Sequence, residues 1–203
     1  DLIIKVDELA VTAESYESAV DALKGEPGTT VTVLVRRGSL EKSYTITRRK
    51  VEVPTAEGHM IGNVGYIRIV QFNDNTPDQF FKVMDQLMDN GAQALVFDVR
   101  SNPGGTIESV GKILDKLLPE GPIISATYRN STTPQVLITS DAEEVKLPMA
   151  VLINSKSASA AELFAQALKD YNKAKAIGVT TYGKGSMQEI HKLSDGSALD
   201  FTV

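Results

Sequence analysis

Ala94-Leu95-Val96-Phe97-Asp98-Val99, running directly into Arg100-Ser101-Asn102-Pro103-Gly104-Gly105 and then into the segment from Thr106 to Leu118, is the stretch on which the fold turns. The first six residues form a continuous apolar run of the kind found in strands covered on both faces. Pro-Gly-Gly ends that run, and the next segment is predicted to be a helix. The same order recurs downstream. Met149 to Ile153 is a second buried strand, Asn154-Ser155-Lys156-Ser157-Ala158-Ser159 is a loop, and a helix is predicted from about Ser157 to Tyr171. Repeated strand, loop and helix predict an α/β core whose sites lie at the carboxyl ends of its strands.

Working outward, Met60 to Val70 is strand-like and broken by Gly62 and Gly65, and Pro77 to Met88 reads as an amphipathic helix with Pro in its first turn. Strands are expected at Ile123 to Tyr128, Val136 to Thr139, Ala174 to Val179, Met187 to Leu193 and Leu199 to Val203, with a turn at Ser194-Asp195-Gly196-Ser197. The first fifty residues have a different texture. Leu2 to Val6 is a strand, Ala13 to Leu23 places Tyr16, Ala19, Val20 and Leu23 at helical spacing, and Gly25-Glu26-Pro27-Gly28 stops that helix. Thr30 to Arg36 and Leu40 to Thr47 follow as strands around Arg37-Gly38. Residues 1–50 therefore read as a small α+β domain and residues 51–203 as a second, larger α/β domain.

Composition narrows the chemistry. The 203 residues carry 21 Lys plus Arg against 26 Asp plus Glu, a formal net charge of −5, which gives nucleic acid no general electrostatic reason to bind. There is no cysteine, and there are only two histidines, His59 and His191. Thiol nucleophiles, disulfides, zinc ribbons and all-histidine metal sites are excluded. A hydrolase built from this sequence needs a base other than the usual histidine. The absence of cysteine is compatible with an oxidising cell envelope. No run approaches a membrane span, and the entry at Asp1 directly into a strand-like segment suggests that further sequence precedes it.

The two loops that follow the buried strands hold the candidate chemistry. Paired glycines before a helix present backbone N–H groups suited to an oxyanion or a phosphate, although Pro-Gly-Gly is also an ordinary turn. No Gly-Lys-Ser/Thr ending makes it a phosphate-binding Walker loop. Ser157 and Ser159 suit a helix N-cap, and either could instead be a nucleophile raised at a strand-to-helix turn. His59 lies in a glycine-flanked strand and His191 in an alternating one, so neither is well placed as its base. Lys184, between Gly183 and Gly185, is the third candidate. Kept from water, its amine would be held neutral and able to accept a proton; on a loop it could equally be solvated.

Three segments in order, Asp98-Val99-Arg100-Ser101-Asn102-Pro103-Gly104-Gly105, then Val151 to Asn154 running into Ser157-Ala158-Ser159-Ala160-Ala161-Glu162, then Tyr182-Gly183-Lys184-Gly185-Ser186-Met187-Gln188, resemble the carboxyl-terminal processing (tail-specific) serine proteases. The resemblance implies a ClpP/crotonase-like protease core and a serine–lysine dyad. The family's spacing of 25 positions picks Ser159 as the nucleophile for the general base Lys184. It implies that Gln188 orients the lysine, and that the oxyanion hole uses the N–H of Ala160 and of Gly104 or Gly105. The first fifty residues resemble the back portion of the family's PDZ domain, with Glu8 where relatives carry glycine. The first strand and carboxylate-binding loop of that domain precede the position of Asp1, so capture of a peptide C-terminus in the usual mode is not expected of these residues alone. Ala161 stands where relatives often have a further serine.

The function implied is a serine endopeptidase that cleaves polypeptides near their exposed C-termini, without cofactor, metal or nucleic acid. It would sit at the cell envelope on an anchor preceding Asp1, and a homo-oligomer is compatible with it. The family's later core segments would follow Val203, and activity is expected of the longer chain. A different class of function fits the same fold: a non-catalytic binding module, as in the retinoid-binding repeats of the photoreceptor matrix, which look like this family. The intact serine, lysine and glutamine spacing favours the enzyme.

Overall fold

Strands with one apolar face and helices with one apolar stripe leave few ways to bury both, and the computed structural model shows which are used. It describes residues 1–128, 131–141 and 143–202. The chain divides into two compact units, Asp1–Val53 and Pro54–Val203.

The first unit contains β1 (Leu2–Val6), β2 (Leu9–Ala10), α1 (Tyr16–Leu23), β3 (Thr30–Arg37) and β4 (Leu40–Thr47) in an antiparallel sheet of order β2-β1-β3-β4. Val31 and Val33 point to the same face of β3 and join Val6 and Ala19 in a small core. The helix begins three residues later than its apolar spacing predicts. Thr12 N–H donates to Ser15 Oγ at 2.9 Å and Ser15 N–H to Thr12 Oγ1 at 3.2 Å, a reciprocal turn that competes with helical hydrogen bonding. At the other end, the Arg48 guanidinium donates to the carbonyls of Leu23 (3.1 Å), Ala22 (2.7 Å) and Thr30 (2.7 Å). The bonds to Leu23 and Ala22 satisfy helix carbonyls that have no partner within α1, and the bond to Thr30 ties the helix end to the start of β3. Arg48→Ala is expected to destabilise this unit by about 2 kcal/mol, measured as a lower denaturant midpoint; an unchanged midpoint would show that water replaces the guanidinium without penalty.

The second unit contains β5 (Ala56–Ile61), β6 (Val64–Ile69), α2 (Thr76–Asp89), β7 (Ala94–Asp98), α3 (Ile107–Leu117), β8 (Gly121–Ala126), β9 (Gln135–Ser140), β10 (Met149–Ile153), α4 (Ala160–Asp170), β11 (Ala174–Gly178), β12 (Gln188–Lys192) and β13 (Ala198–Thr202). Its main sheet has the order β11-β10-β7-β6-β5, with β6, β7, β10 and β11 parallel and β5 antiparallel at one edge. The mixed α/β class expected from the strand, loop and helix repeats is the class observed. β8 with β9, and β12 with β13, form separate two-stranded ribbons. The strand expected to end at Val203 runs to Thr202, and Val203 lies outside the described residues.

Met60 to Val70, expected as one interrupted strand, is instead a hairpin. Gly62 adopts φ +61° at the turn between β5 and β6, a conformation that favours glycine. Gly65 is inside β6, where an added Cβ would lie 2.9 Å from Leu95 Cδ2 and 3.2 Å from Leu87 Cδ1. On β6, Gly65, Ile67 and Ile69 face the core, while Tyr66 and Arg68 point to the opposite face. α2 packs on β5 and β6, α4 packs on β11, and α3 lies against both helices. Between sheet and helices, Phe97 sits 5.7 Å from Phe80 and 5.4 Å from Phe164, which is 5.8 Å from Phe72 (ring centroids). All four rings are buried, each contributing about 1.5–3 kcal/mol. Among the described residues, no helix is long and apolar enough to cross a membrane.

Candidate active site

The loops that leave β7 and β10 lie side by side because those strands are neighbours, and buried polar groups lock them together. Asn102, fully buried, donates from Nδ2 to Ile69 O at 2.9 Å and accepts Gly104 N–H on Oδ1 at 2.8 Å. Its backbone carbonyl accepts Ala158 N–H at 3.0 Å. Ser157 Oγ donates to Val99 O at 2.7 Å and accepts Asn154 N–H at 3.1 Å. Asn154 Oδ1 accepts Ser101 N–H at 2.9 Å. Buried groups satisfied in this way hold one geometry.

These contacts separate the candidate serines. Ser157 is buried and its hydroxyl is committed to Val99. Ser155 is exposed on the loop. Ser159 is the N-cap of α4 and adopts φ 55°, ψ −119°, a sparsely populated conformation that costs about 1–3 kcal/mol. The glycine pair packs against it. A Cβ on Gly104 would lie 2.8 Å from Ser159 Cβ and 2.9 Å from Ala160 N, and one on Gly105 would lie 1.9 Å from Phe72 O. Only residues without a Cβ permit this approach. The two glycines differ in what their N–H groups do. Gly104 N–H is bound to Asn102 Oδ1, whereas the N–H groups of Gly105 and Ala160 make no hydrogen bond among the described residues.

Lys184 lies beyond β11 and is half-buried, less sheltered than a neutral lysine base would suggest. Its Nζ donates to Gln188 Oε1 at 2.7 Å, and no hydrogen bond joins it to Ser159 Oγ among the described residues. Lysine and glutamine are thus brought together, and the serine is brought to the glycine loop. What links the two halves is Glu162. Its carboxylate accepts Ser159 N–H at 2.8 Å, Gly183 N–H at 2.6 Å and Lys184 N–H at 2.9 Å. Burial pushes this carboxyl up, but hydrogen bonds from Thr181, Gly183, Ser159 and Lys184 outweigh it and hold the group below its ordinary value. The sequence carried a signal for this residue in its Ser-x-x-Glu spacing, the mark of a capping box, but nothing local shows that the glutamate also reaches the lysine loop.

The histidines stand apart. His59 is exposed on β5, tilted against Tyr66 at 5.1 Å, and His191 is exposed on β12, stacked on Phe201 at 4.9 Å. A further network lies at the end of β7. Buried Asp98 accepts Arg100 Nε (2.9 Å), Arg100 Nη2 (2.6 Å) and the Tyr66 hydroxyl (2.6 Å). Burial pushes the Asp98 carboxyl up, but the bonds from Arg100 and Tyr66 overcome this and hold it below its ordinary value.

Asp98 and Glu162 therefore both bind protons less readily when folded. The stability they contribute is complete above their ordinary values of 3.8 and 4.5 and is lost as pH falls through the depressed folded values. The thermal midpoint is expected to be flat from about pH 7 to pH 5 and to drop below about pH 4, with a shallower drop in Asp98→Asn. A midpoint that holds steady to about pH 2 would contradict this assignment.

Comparison with known proteins adds a family to this geometry. Residues 63–203 match the profile of Peptidase family S41. The chain belongs to peptidase family S41. A protein named "Probable CtpA-like serine protease" from Staphylococcus aureus is 34% identical over 204 aligned positions, spanning 100% of this S41 chain and 41% of that protein. Its namesake from Staphylococcus haemolyticus is 32% identical over the same span. The S41 chain thus covers less than half the length of these curated relatives. Among solved structures, the photosystem II D1 C-terminal processing protease is similar at TM-score 0.66 and 30% identity, over 99% of this chain and 56% of that one. A lipoprotein from Streptococcus agalactiae shares the fold at TM-score 0.60 and 22% identity, over 73% of this chain and 57% of that one.

Proposed function

We propose that Ser159 and Lys184 are the nucleophile and general base of a serine peptidase that cleaves polypeptides near their C-termini. Ser159 Oγ attacks the scissile carbonyl carbon while Lys184 Nζ takes the hydroxyl proton. The resulting oxyanion accepts hydrogen bonds from the N–H groups of Gly105 and Ala160. Collapse breaks the C–N bond, and Nζ returns the proton to the departing amine. Water then attacks the acyl-enzyme by the same route and frees Ser159. Gln188 orients the amine by accepting one of its N–H bonds, which leaves the nitrogen lone pair for the serine proton.

The observation that carries this assignment is the packing of Gly104 on Ser159, with Gly104 N–H engaged by Asn102 and the N–H groups of Gly105 and Ala160 unengaged among the described residues. Donors left unpaired beside a nucleophile are otherwise a penalty. The Lys184 amine must move from its present position onto Ser159 Oγ during the cycle, as catalytic contacts often tighten only when substrate binds. A fluorophosphonate probe is expected to label Ser159 of the full-length enzyme, located by mass spectrometry, and to label Lys184→Ala far more slowly. Equal labelling of both forms would remove the lysine from the mechanism.

The first unit is proposed to be the back portion of a PDZ domain, supported by its α1 and antiparallel sheet of order β2-β1-β3-β4. An envelope location is proposed with it, on the family likeness and the absence of cysteine.

A further inference from the structure

The far face of the main sheet carries a polar cavity of about 290 Å³ at the carboxyl ends of β6, β7 and β10, lined by Tyr66, Arg68, Asp98, Arg100, Ser101 and Asn154. Open α/β sheets bind ligands at such strand ends. The cavity is walled by the same two loops that carry Gly105 and Ser159, since Ser101 belongs to the first and Asn154 to the second.

Its charges do not cancel. Both Asp98 oxygens are occupied: Oδ1 accepts the Arg100 backbone N–H and Nε, and Oδ2 accepts Arg100 Nη2 and the Tyr66 hydroxyl. Arg68 lies directly across from Asp98 in the β6–β7 register, yet it is exposed and forms no ion pair among the described residues. Among the lining residues one carboxylate thus meets two guanidinium groups, and Glu57, which lies across from Arg68 in the β5–β6 register, forms no ion pair with it among the described residues. The Arg100 group is fixed by Asp98 along one edge while about half of its side chain stays exposed (52%), so its remaining N–H bonds point outward from a set position. Ser101 Oγ accepts Asn154 Nδ2–H at 3.1 Å, which leaves the serine hydroxyl hydrogen to donate. Ser101 itself is held at φ 61° by the bond from its N–H to Asn154 Oδ1.

Donors without acceptors, an uncancelled positive charge and a planar guanidinium fork suit one planar anion. We propose that this cavity binds the α-carboxylate of a substrate's C-terminus, with Arg68 as the principal donor and Arg100 and Ser101 completing the site. The identity of the anion rests on the peptidase function proposed above; the anion site itself rests on the cavity. The core would then recognise the end of the chain it cuts close to, independently of any contribution from the first unit.

Two peptides of one sequence, one a free acid and one a C-terminal amide, are titrated into the Ser159→Ala protein and into Ser159→Ala with Arg68→Gln. Arg68 is exposed and its removal leaves the core untouched, so both proteins are expected to fold alike. The preference for the acid over the amide is expected to fall about tenfold on Arg68→Gln, the loss of one charge-assisted hydrogen bond. A third peptide, amidated but ending in Asp, separates a terminal from a side-chain carboxylate and is expected to bind as weakly as the plain amide. An unchanged acid-to-amide ratio, an equal weakening of both peptides, or an Asp amide that binds like the free acid would each overturn the proposal. Binding does not require turnover. A ratio that falls as expected in the Ser159→Ala pair, together with a parent protein whose intact Ser159 no fluorophosphonate labels, would support the cavity and reject the peptidase chemistry.

Discussion

Replacing Ser159 with Ala is expected to reduce peptide turnover by about a million-fold, the scale seen when a serine protease loses its nucleophile. The change removes one oxygen at the N-cap of α4, worth at most about 1–2 kcal/mol, and the bond from the backbone N–H of residue 159 to Glu162 remains, so circular dichroism should match the parent and the thermal midpoint should fall only slightly. Lys184→Ala is expected to lose at least about ten thousand-fold, because an uncharged serine hydroxyl attacks a peptide carbonyl poorly without a base. Added primary alkylamines should restore part of the Lys184→Ala activity and none of the Ser159→Ala activity. The two effects should not multiply, since nucleophile and base act as one unit. Either variant turning over peptide at near the parent rate would sink the dyad.

Glu162→Gln is the change with the next largest expected effect. The carboxylate accepts three backbone N–H groups, from Ser159 at the start of α4 and from Gly183 and Lys184 on the opposite loop. A glutamine side chain has one oxygen and must turn its NH₂ toward at least one of those donors. About 1–3 kcal/mol of stability is at stake for a donor left unsatisfied. The larger consequence is positional, since the proposed nucleophile and the proposed base are carried by the two segments that Glu162 joins. A displacement of about 1 Å between reacting groups can cost about a hundred-fold in rate. Turnover is therefore expected to fall by about a hundred-fold or more with KM little changed, and Glu162→Asp, one methylene too short to reach both segments, should not rescue it. A variant whose kcat stays within about twofold of the parent would reduce Glu162 to an ordinary helix cap.

Both predictions depend on contacts that the sequence discloses unequally. Gly104 and Gly105 could be named as oxyanion residues by likeness to a family, but not distinguished from each other. The distinction follows from Asn102, whose side chain takes the N–H of Gly104 because Asn102 is itself buried between Ile69 and the loop. The serine lay between two alternatives on local grounds, and burial of the Ser157 hydroxyl against Val99 is what sets it aside as a nucleophile. The hairpin of β5 and β6 was readable in Gly62 only to the extent that a glycine can take positive φ. Whether it does so depends on β5 folding back to pair antiparallel with β6.

What this sequence determined by itself is local: where apolar runs make buried strands, where Pro and Gly end them, which segments become helices, and that no thiol or histidine cluster is available for chemistry. Those outcomes follow from steric limits and from the spacing of apolar side chains, which operate over a few residues. Tertiary structure alone decided the allocation of hydrogen bonds and charge. Glu162 came to bridge α4 and the lysine loop, Asp98 came to be saturated by Arg100 and Tyr66, and Arg68, between Glu57 and Asp98 on the neighbouring strands, forms no ion pair among the described residues. Each donor takes whatever acceptor the packed chain brings within reach, and at this site those acceptors belong to strands and loops far apart in sequence.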